Sequence, residues 1–233
     1  MKTAENPHAH LFTDINALLS RKPLPIETGI QRLSNGMLLV SVRTEMPGCK
    51  SRMADWWFKF FETTQHIKWW HPHDHVTHSG WDEHWKKGES YVGATIHATE
   101  ALGDIPPVAA TIKFHDPAEL FDPQQLDAAY TNNEAGAVVY ARIGFGDHVK
   151  IDAKGDPLDG YMVHVFRDTA TGCVLRSRFY LGASAKDPIR EIPDELGLGL
   201  MVHCYSEFTY LSRFIPSLYY AENKTGDKAP LPW

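Results

Sequence analysis

Hydrophobic and polar residues alternate in a series of short runs: 90–101 (SYVGATIHATEA), 107–114 (PVAATIKF), 137–146 (AVVYARIGFG), 160–168 (GYMVHVFRD) and 173–182 (CVLRSRFYLG). A period of two is that of a strand with one buried face, and turn-rich spacers such as 152–157 (DAKGDP) separate the runs, so an antiparallel meander is predicted rather than a βαβ repeat. An earlier run, 37–46 (MLLVSVRTEM), reads as a further strand, and 49–63 (CKSRMADWWFKFFET) as a helix with an aromatic side. Between about 69 and 88, Pro72, Gly80 and Gly88 break any period, which predicts an irregular, His-rich loop. Residues 117–136 are polar and carry Pro123, so they read as a surface excursion with at most a short helix.

The period changes at Pro193 and Asp194, which open a helix running to about Glu222 with mild interruptions at Gly197, Gly199 and Pro216. Projected at 3.6 residues per turn, Leu196, Leu200, His203, Glu207, Tyr210, Leu211, Phe214 and Leu218 fall within one stripe of roughly 100°, the width of a core-facing side. Antiparallel strands followed by one long helix predict an α+β domain in which a curved sheet grips the helix and leaves a cavity between them. The expected organisation is a single domain over 37–222, with an N-terminal extension (1–36) packed on it and a C-terminal tail (223–233).

Composition narrows the partners. The 233 residues carry 23 Lys plus Arg against 29 Asp plus Glu, for a formal charge of −6, and no run of five like charges, which argues against nucleic acid and anionic membranes. Neither a signal-like segment nor a stretch of 18 apolar residues is present, and Cys49, Cys173 and Cys204 form no framework. A reducing, cytoplasmic setting is the expectation. Seven of the 13 histidines lie between His66 and His97, and six of the seven tryptophans between Trp56 and Trp85, which suggests a metal or proton-transfer site set in an apolar cavity. Tryptophans at 81 and 85 are candidates for the cavity mouth or for an interface between copies of the chain.

His203 and Glu207 share the apolar stripe four residues apart, one turn along the helix, so both side chains can reach one ion. An ionised Glu on an apolar face costs several kcal/mol unless paired or metal-bound. In the strand from 90, parity puts Glu100 with Val92, Ala94, Ile96 and Ala98 on the inner face and His97 outside; the alternative is a strand already frayed at Thr99. The segment Trp69-Trp70-His71-Pro72-His73-Asp74-His75 supplies further donors, and if extended it puts His71, His73 and His75 on one side. Period alone does not choose among them. Two imidazoles and two carboxylates suit Zn²⁺, with Fe²⁺, Mn²⁺ or Co²⁺ as competitors, and such a centre supports hydrolytic chemistry.

In these residues the chain resembles the 2,4-diacetylphloroglucinol hydrolase and phloretin hydrolase family. The similarity rests on Trp-Trp-His-Pro-x-Asp-His at 69–75, Tyr91-x-Gly93 leading to Glu100, Met162-Val163-His164-Val165, Cys173-x-x-Arg176-Ser177-Arg178-Phe179 and the helical His203-x-x-x-Glu207. It implies a helix-grip fold of the Bet v 1 type and one zinc ion per chain, held by His71, Glu100, His203 and Glu207. The implied reaction is hydrolysis of the carbon–carbon bond between an acyl group and a phenolic, phloroglucinol-like ring or in a related β-dicarbonyl-like compound, with a small aromatic ketone as the expected substrate. Asp74, His75 and His164 are then candidates for proton transfer, and Tyr161 and Trp70 for substrate contact. Parity sets His164 and Tyr161 on opposite strand faces, so both reach one cavity only if the strand bulges.

One departure bears on specificity. Before His71, where the family is expected to carry a substrate-binding tyrosine, this chain has Thr63-Thr64-Gln65. The metal site can be inherited without the acylphenol specificity. The competing functions are a helix-grip carrier for an apolar aromatic ligand and a metal-dependent lyase or isomerase on the same site.

Overall fold

The computed structural model describes residues 15–182 and 192–223. Part of the expected N-terminal extension and nearly all of the expected tail lie outside the described residues. Among the described residues, eight antiparallel strands form one sheet in the order β1-β2-β8-β7-β6-β5-β4-β3. They are β1 (Gly29–Arg32), β2 (Leu38–Pro47), β3 (His75–Trp81), β4 (Thr95–Leu102), β5 (Ile105–His115), β6 (Ala137–Phe145), β7 (Gly160–Asp168) and β8 (Gly172–Leu181). Helices α1 (Ser51–Phe60) and α2 (Thr64–Trp70) link β2 to β3, α3 (Pro123–Thr131) links β5 to β6, and α4 (Asp194–Glu222) closes the chain. This is the helix-grip arrangement, an α+β fold whose sheet wraps the terminal helix.

Helix α4 lies close against the sheet because two of its residues lack side chains. A Cβ at Gly197 would stand 2.7 Å from Leu38 Cδ2, and one at Gly199 3.0 Å from the Leu102 carbonyl oxygen. The glycines that weaken helix propensity are thus the points of contact with β2 and with the end of β4. The helix passes through Pro216 without ending. Its buried side is centred on Leu200, His203, Cys204, Glu207, Phe208, Leu211 and Ile215, rotated slightly from the predicted stripe, since Tyr210 and Phe214 are only half-buried.

Inside the grip, Trp57, Phe58 and Phe61 pack with Trp70, Phe114, Phe166 and Phe208 in a mostly edge-to-face cluster. Each such ring, fully buried, contributes about 1.5–3 kcal/mol by removal from water. Trp81 and Trp85 stack at 5.3 Å and donate their indole N–H groups to the Phe61 and Phe58 carbonyls, so they are part of this packing rather than a free surface patch.

Several expectations change. The stretch 69–88 is not wholly loop: it holds the end of α2 and the edge strand β3, whose two register shifts hide the period of two. Strand β4 starts at Thr95 rather than 90, leaving Val92 exposed. The central strands are buried on both faces, all ten residues of β8 included. The cause is a second core, in which Leu120, Phe121, Leu126 and Ala129, from the segment expected as a surface excursion, join Ile15, Leu18 and Leu19 over Val138, Tyr140, Tyr161, Val163 and Tyr180. The sheet also begins at β1, inside the segment expected to be an extension. Among the described residues, no helix is long and apolar enough to cross a membrane.

Buried arginines fasten residues 20–27 to the outer face. Arg176 forks onto the Glu27 carboxylate at 2.6 and 3.0 Å and donates to the Lys22 carbonyl, while Arg178 donates to Ile26 and Arg167 to Ser20. Burial opposes charge on Glu27, but the hydrogen bonds from Arg176 and Leu24 N–H win and hold its carboxyl below the usual carboxylate range. Its contribution is therefore present above the ordinary carboxylate pKa and lost as pH falls through the depressed folded value. Glu27→Gln is expected to cost about 1–2 kcal/mol at neutral pH, because Arg176 keeps its carbonyl partners. Denaturant titrations of the two proteins should converge as the pH is lowered toward about 3.

Candidate metal centre

Chain geometry brings the site together in three pieces. Pro72 holds His71 extended, which ends α2 there; His71 N–H bonds back to the Ile67 carbonyl, and its Nδ1 accepts from Asp74 N–H at 2.9 Å. That turn delivers His75 to the first position of β3, directly across from Glu100 of β4. Cross-strand partners project to the same face, so the pairing register alone sets an imidazole beside a carboxylate. His203 and Glu207 of α4 meet them from the opposite side of the cavity.

The donor atoms converge. His75 Nε2 lies 3.8 Å from Glu100 Oε1 and 3.7 Å from Glu207 Oε2, and His203 Nε2 lies 3.9 Å from Glu100 Oε2 and 3.9 Å from Glu207 Oε2. Four ligands at zinc-like bond lengths of about 2.0–2.2 Å stand roughly 3.3–3.6 Å apart in a tetrahedron. The observed spacing is slightly wider, and Glu100 meets the two imidazoles through different oxygens; His75, His203 and Glu207 each offer an atom within 4.8 Å of the others and could hold a divalent cation, as could a second group, His71, Asp74 and His203. Each imidazole has its other nitrogen engaged: His75 Nδ1 meets the Ile67 carbonyl at 2.7 Å and His203 Nδ1 meets Asp74 Oδ2 at 3.0 Å. Such contacts fix the tautomer that leaves Nε2 with its lone pair toward the centre.

The electrostatics agree with a site completed by positive charge. Burial holds the His75 imidazole below its ordinary pKa, hence neutral. On His203 burial is outweighed by the hydrogen bond to Asp74 and by the charges of Glu207 and Glu100, so its pKa rises. Burial lifts the Glu207 carboxyl to about 8 against the pull of His203, with Glu100 and Asp74 adding to the rise. Two carboxylates facing two imidazoles in an apolar wall are poorly compensated without a cation.

Glu100, His203 and Glu207, three of the ligands that the resemblance implies, thus lie around one end of the cavity. His71 stands in the neighbouring group with Asp74 and His203: its Nε2 lies 2.8 Å from Ser206 Oγ and 3.5 Å from Asp74 Oδ2, its Nδ1 is taken by Asp74 N–H, and its ring stacks on His203 at 5.0 Å. His75, expected to carry protons, is the histidine that faces Glu100 and Glu207. The turn accounts for this, because the stretch from 71 to 75 folds back on itself. Asp74, a second proton-transfer candidate, is held instead against His203, with the His203 bond the largest influence lowering its pKa. His97 points outward to Thr111, as parity requires.

The cavity beside the four donors is enclosed by apolar walls including Phe58, Phe61, Phe114, Phe145 and Phe179. About 70 Å³ of it is open to the centre of a water molecule, which with the water's own radius leaves room for a small aromatic ring. Trp70 and His164 line it. Tyr161 does not: it lies on the other face of β7, in the outer core, with the Arg142 guanidinium 4.1 Å over its ring. No bulge intervenes in β7, so parity decides for His164. His164 is fully enclosed, which lowers its pKa to about 3, and its Nδ1 meets Ser177 Oγ at 2.8 Å. Ser177 and Ser206 were not singled out from sequence. Ser177 was within reach, since it shares the face of Phe179 and pairs in register with His164; Ser206 touches His71 only through the fold.

A helix-grip domain with a charge-bearing centre at one wall of an apolar cavity has the form of an enzyme's active site. The chain belongs to the DAPG hydrolase family: the family model described as the DAPG hydrolase PhiG domain matches residues 10–220. 2,4-Diacetylphloroglucinol hydrolase of Pseudomonas protegens is 29% identical over 230 residues, spanning 88% of this chain and 72% of that protein. Phloretin hydrolase of Eubacterium ramulus is 23% identical over 209 residues, spanning 82% and 71%. Solved structures overlie the chain loosely: Ms6760 from Mycobacterium smegmatis at TM-score 0.42, 15% identity and 87% and 99% coverage, and Ara h 8.0201 at TM-score 0.42, 10% identity and 81% and 99% coverage.

The raised pKa of Glu207 gives a pH signature in metal-free protein. Stability from its neutral form is full below the ordinary carboxylate value and is lost as the pH rises toward about 8. Melting temperatures of chelator-treated wild type should fall relative to Glu207→Gln between about pH 5 and pH 8. Parallel profiles would show that the carboxylate ionises there without penalty.

Proposed function

We propose that this chain hydrolyses the carbon–carbon bond between an acyl group and an electron-rich phenolic ring, using one divalent ion, zinc by donor type, held by His75, Glu100, His203 and Glu207. The observation that carries this is the convergence of those four donors on an apolar, ring-sized cavity in a chain of the DAPG hydrolase family. Its named relatives, 2,4-diacetylphloroglucinol hydrolase and phloretin hydrolase, support the substrate class. A carrier for an apolar ligand would have no use for a buried and a half-buried carboxylate beside two oriented imidazoles.

The overall change is aryl ketone plus water to carboxylic acid plus free arene. The bond between carbonyl carbon and ring carbon breaks, the oxygen of water joins the carbonyl carbon, and the ring carbon keeps the bonding pair and gains a proton. When bound, the ion supplies Lewis-acid polarisation of the ketone and lowers the pKa of water. The remaining work falls to side chains. Ile67 and Asp74 keep His75 and His203 in the ligating tautomer, and the phenylalanine walls exclude bulk water and hold the ring. His164 is neutral, has Nδ1 fixed by Ser177 and lines the cavity, so its Nε2 is the candidate atom to accept a hydrogen bond from a ring hydroxyl and orient the ring.

Metal analysis of the purified protein should find about one equivalent per chain, lost in His75→Ala and retained in His71→Ala. The reverse pattern would return the ligand role to His71. Metal-replete enzyme should release a carboxylic acid from an acylphenol panel; no acid from any member would overturn the hydrolase assignment. His164→Phe should keep the metal and lower kcat/KM by roughly ten- to a hundredfold.

A further inference from the structure

The cavity is far less polar than a polyhydroxylated ring requires. Of the 19 residues lining it, four form the donor set, and only His164 and the indole N–H of Trp70 add hydrogen-bonding groups. No side-chain hydroxyl or amide and no Lys or Arg lines it among the described residues. Tyr161 is walled off behind the sheet, and Thr64, in the segment expected to supply a tyrosine, is spent on the His78 backbone N–H at 3.0 Å. The Trp70 Nε1–H is buried without a partner among the described residues, and it can only donate.

An acylphloroglucinol ring brings two hydroxyls beyond the one beside the ketone, and each must donate as well as accept. Outside the donor set, the one side-chain acceptor that lines the cavity among the described residues is His164. A buried hydroxyl left unpaired is expected to lower affinity roughly ten- to a hundredfold. The chemistry nevertheless needs an electron-rich ring, since the ring carbon must take up a proton. Ether oxygens meet both demands, because they donate electron density to the ring, accept hydrogen bonds, and carry no proton to leave unpaired.

Resting on the hydrolase assignment above, we infer that the preferred substrates are acylphenols with one free hydroxyl, beside the ketone, and with their other ring oxygens masked as ethers or replaced by alkyl groups. The cavity selects against free acylphloroglucinols.

The test compares trihydroxyacetophenone with its di-O-methyl ether, the hydroxyl beside the ketone left free. Metal-replete enzyme is assayed for acetate release, and affinity is read in parallel from quenching of tryptophan fluorescence. The ether should be preferred by about tenfold or more in both Kd and kcat/KM. Equal or tighter binding of the trihydroxy compound overturns the inference. If neither compound is cleaved while the ether binds at least tenfold tighter, the polarity inference stands and the hydrolase assignment fails; cleavage with trihydroxy preference is the converse. Phe179→Tyr sets a hydroxyl on the wall whose ring lies 5.7 Å from that of His164, and should shift the Kd ratio about tenfold toward the trihydroxy compound. No shift in a folded variant counts against the inference.

Discussion

The placing of two carboxylates, the buried Glu207 and the half-buried Glu100, beside two imidazoles in an apolar wall is the constraint around which the rest of the structure is arranged. Both are held from behind: Glu207 sits on the inward side of a helix clamped by two glycine contacts, and Glu100 is set by strand register opposite His75. Such charge is tolerated inside a protein only where partners are fixed in advance. The fixing is visible in the Ile67 carbonyl behind His75 and in Asp74 behind His203, with His71 and Ser206 buttressing the turn that carries Asp74.

The two faces of the sheet divide the labour. Along β8, Arg176 and Arg178 reach outward to clasp residues 20–27, while Ser177 and Phe179 face inward, one to steady His164 and the other to wall the cavity. One strand therefore serves both the outer clasp and the inner site by alternation alone. The aromatic cluster between α1, α2 and α4 closes the grip and makes the cavity wall apolar, and low polarity around the donor set strengthens its electrostatic contacts.

Chemistry and selectivity are separable here. The donor set depends on a register, a helix pitch and a turn, whereas the rest of the cavity is built from interchangeable apolar side chains. A family member can keep the first and alter the second, and in this chain the cavity walls have few groups with which to meet a hydroxyl.

Much of this was legible in the sequence. The period of 3.6 put His203 and Glu207 on one inward side of the last helix, and the period of two turned Glu100 inward, His97 outward and His164 and Tyr161 to opposite faces. Those relations are local, fixed by the geometry of a single element. What only the tertiary structure decided is which partners those elements meet. The turn at Pro72 set His75 across from Glu100 and His71 against Ser206, because backbone hydrogen bonding at the end of α2 folds a segment that looks extended in sequence. The outer core, which buries Tyr161, depends on residues 15–19 and 120–129 docking on a strand more than 30 positions away, a contact that no local period encodes. Ser206, too, became part of the site only when α4 was laid against that turn.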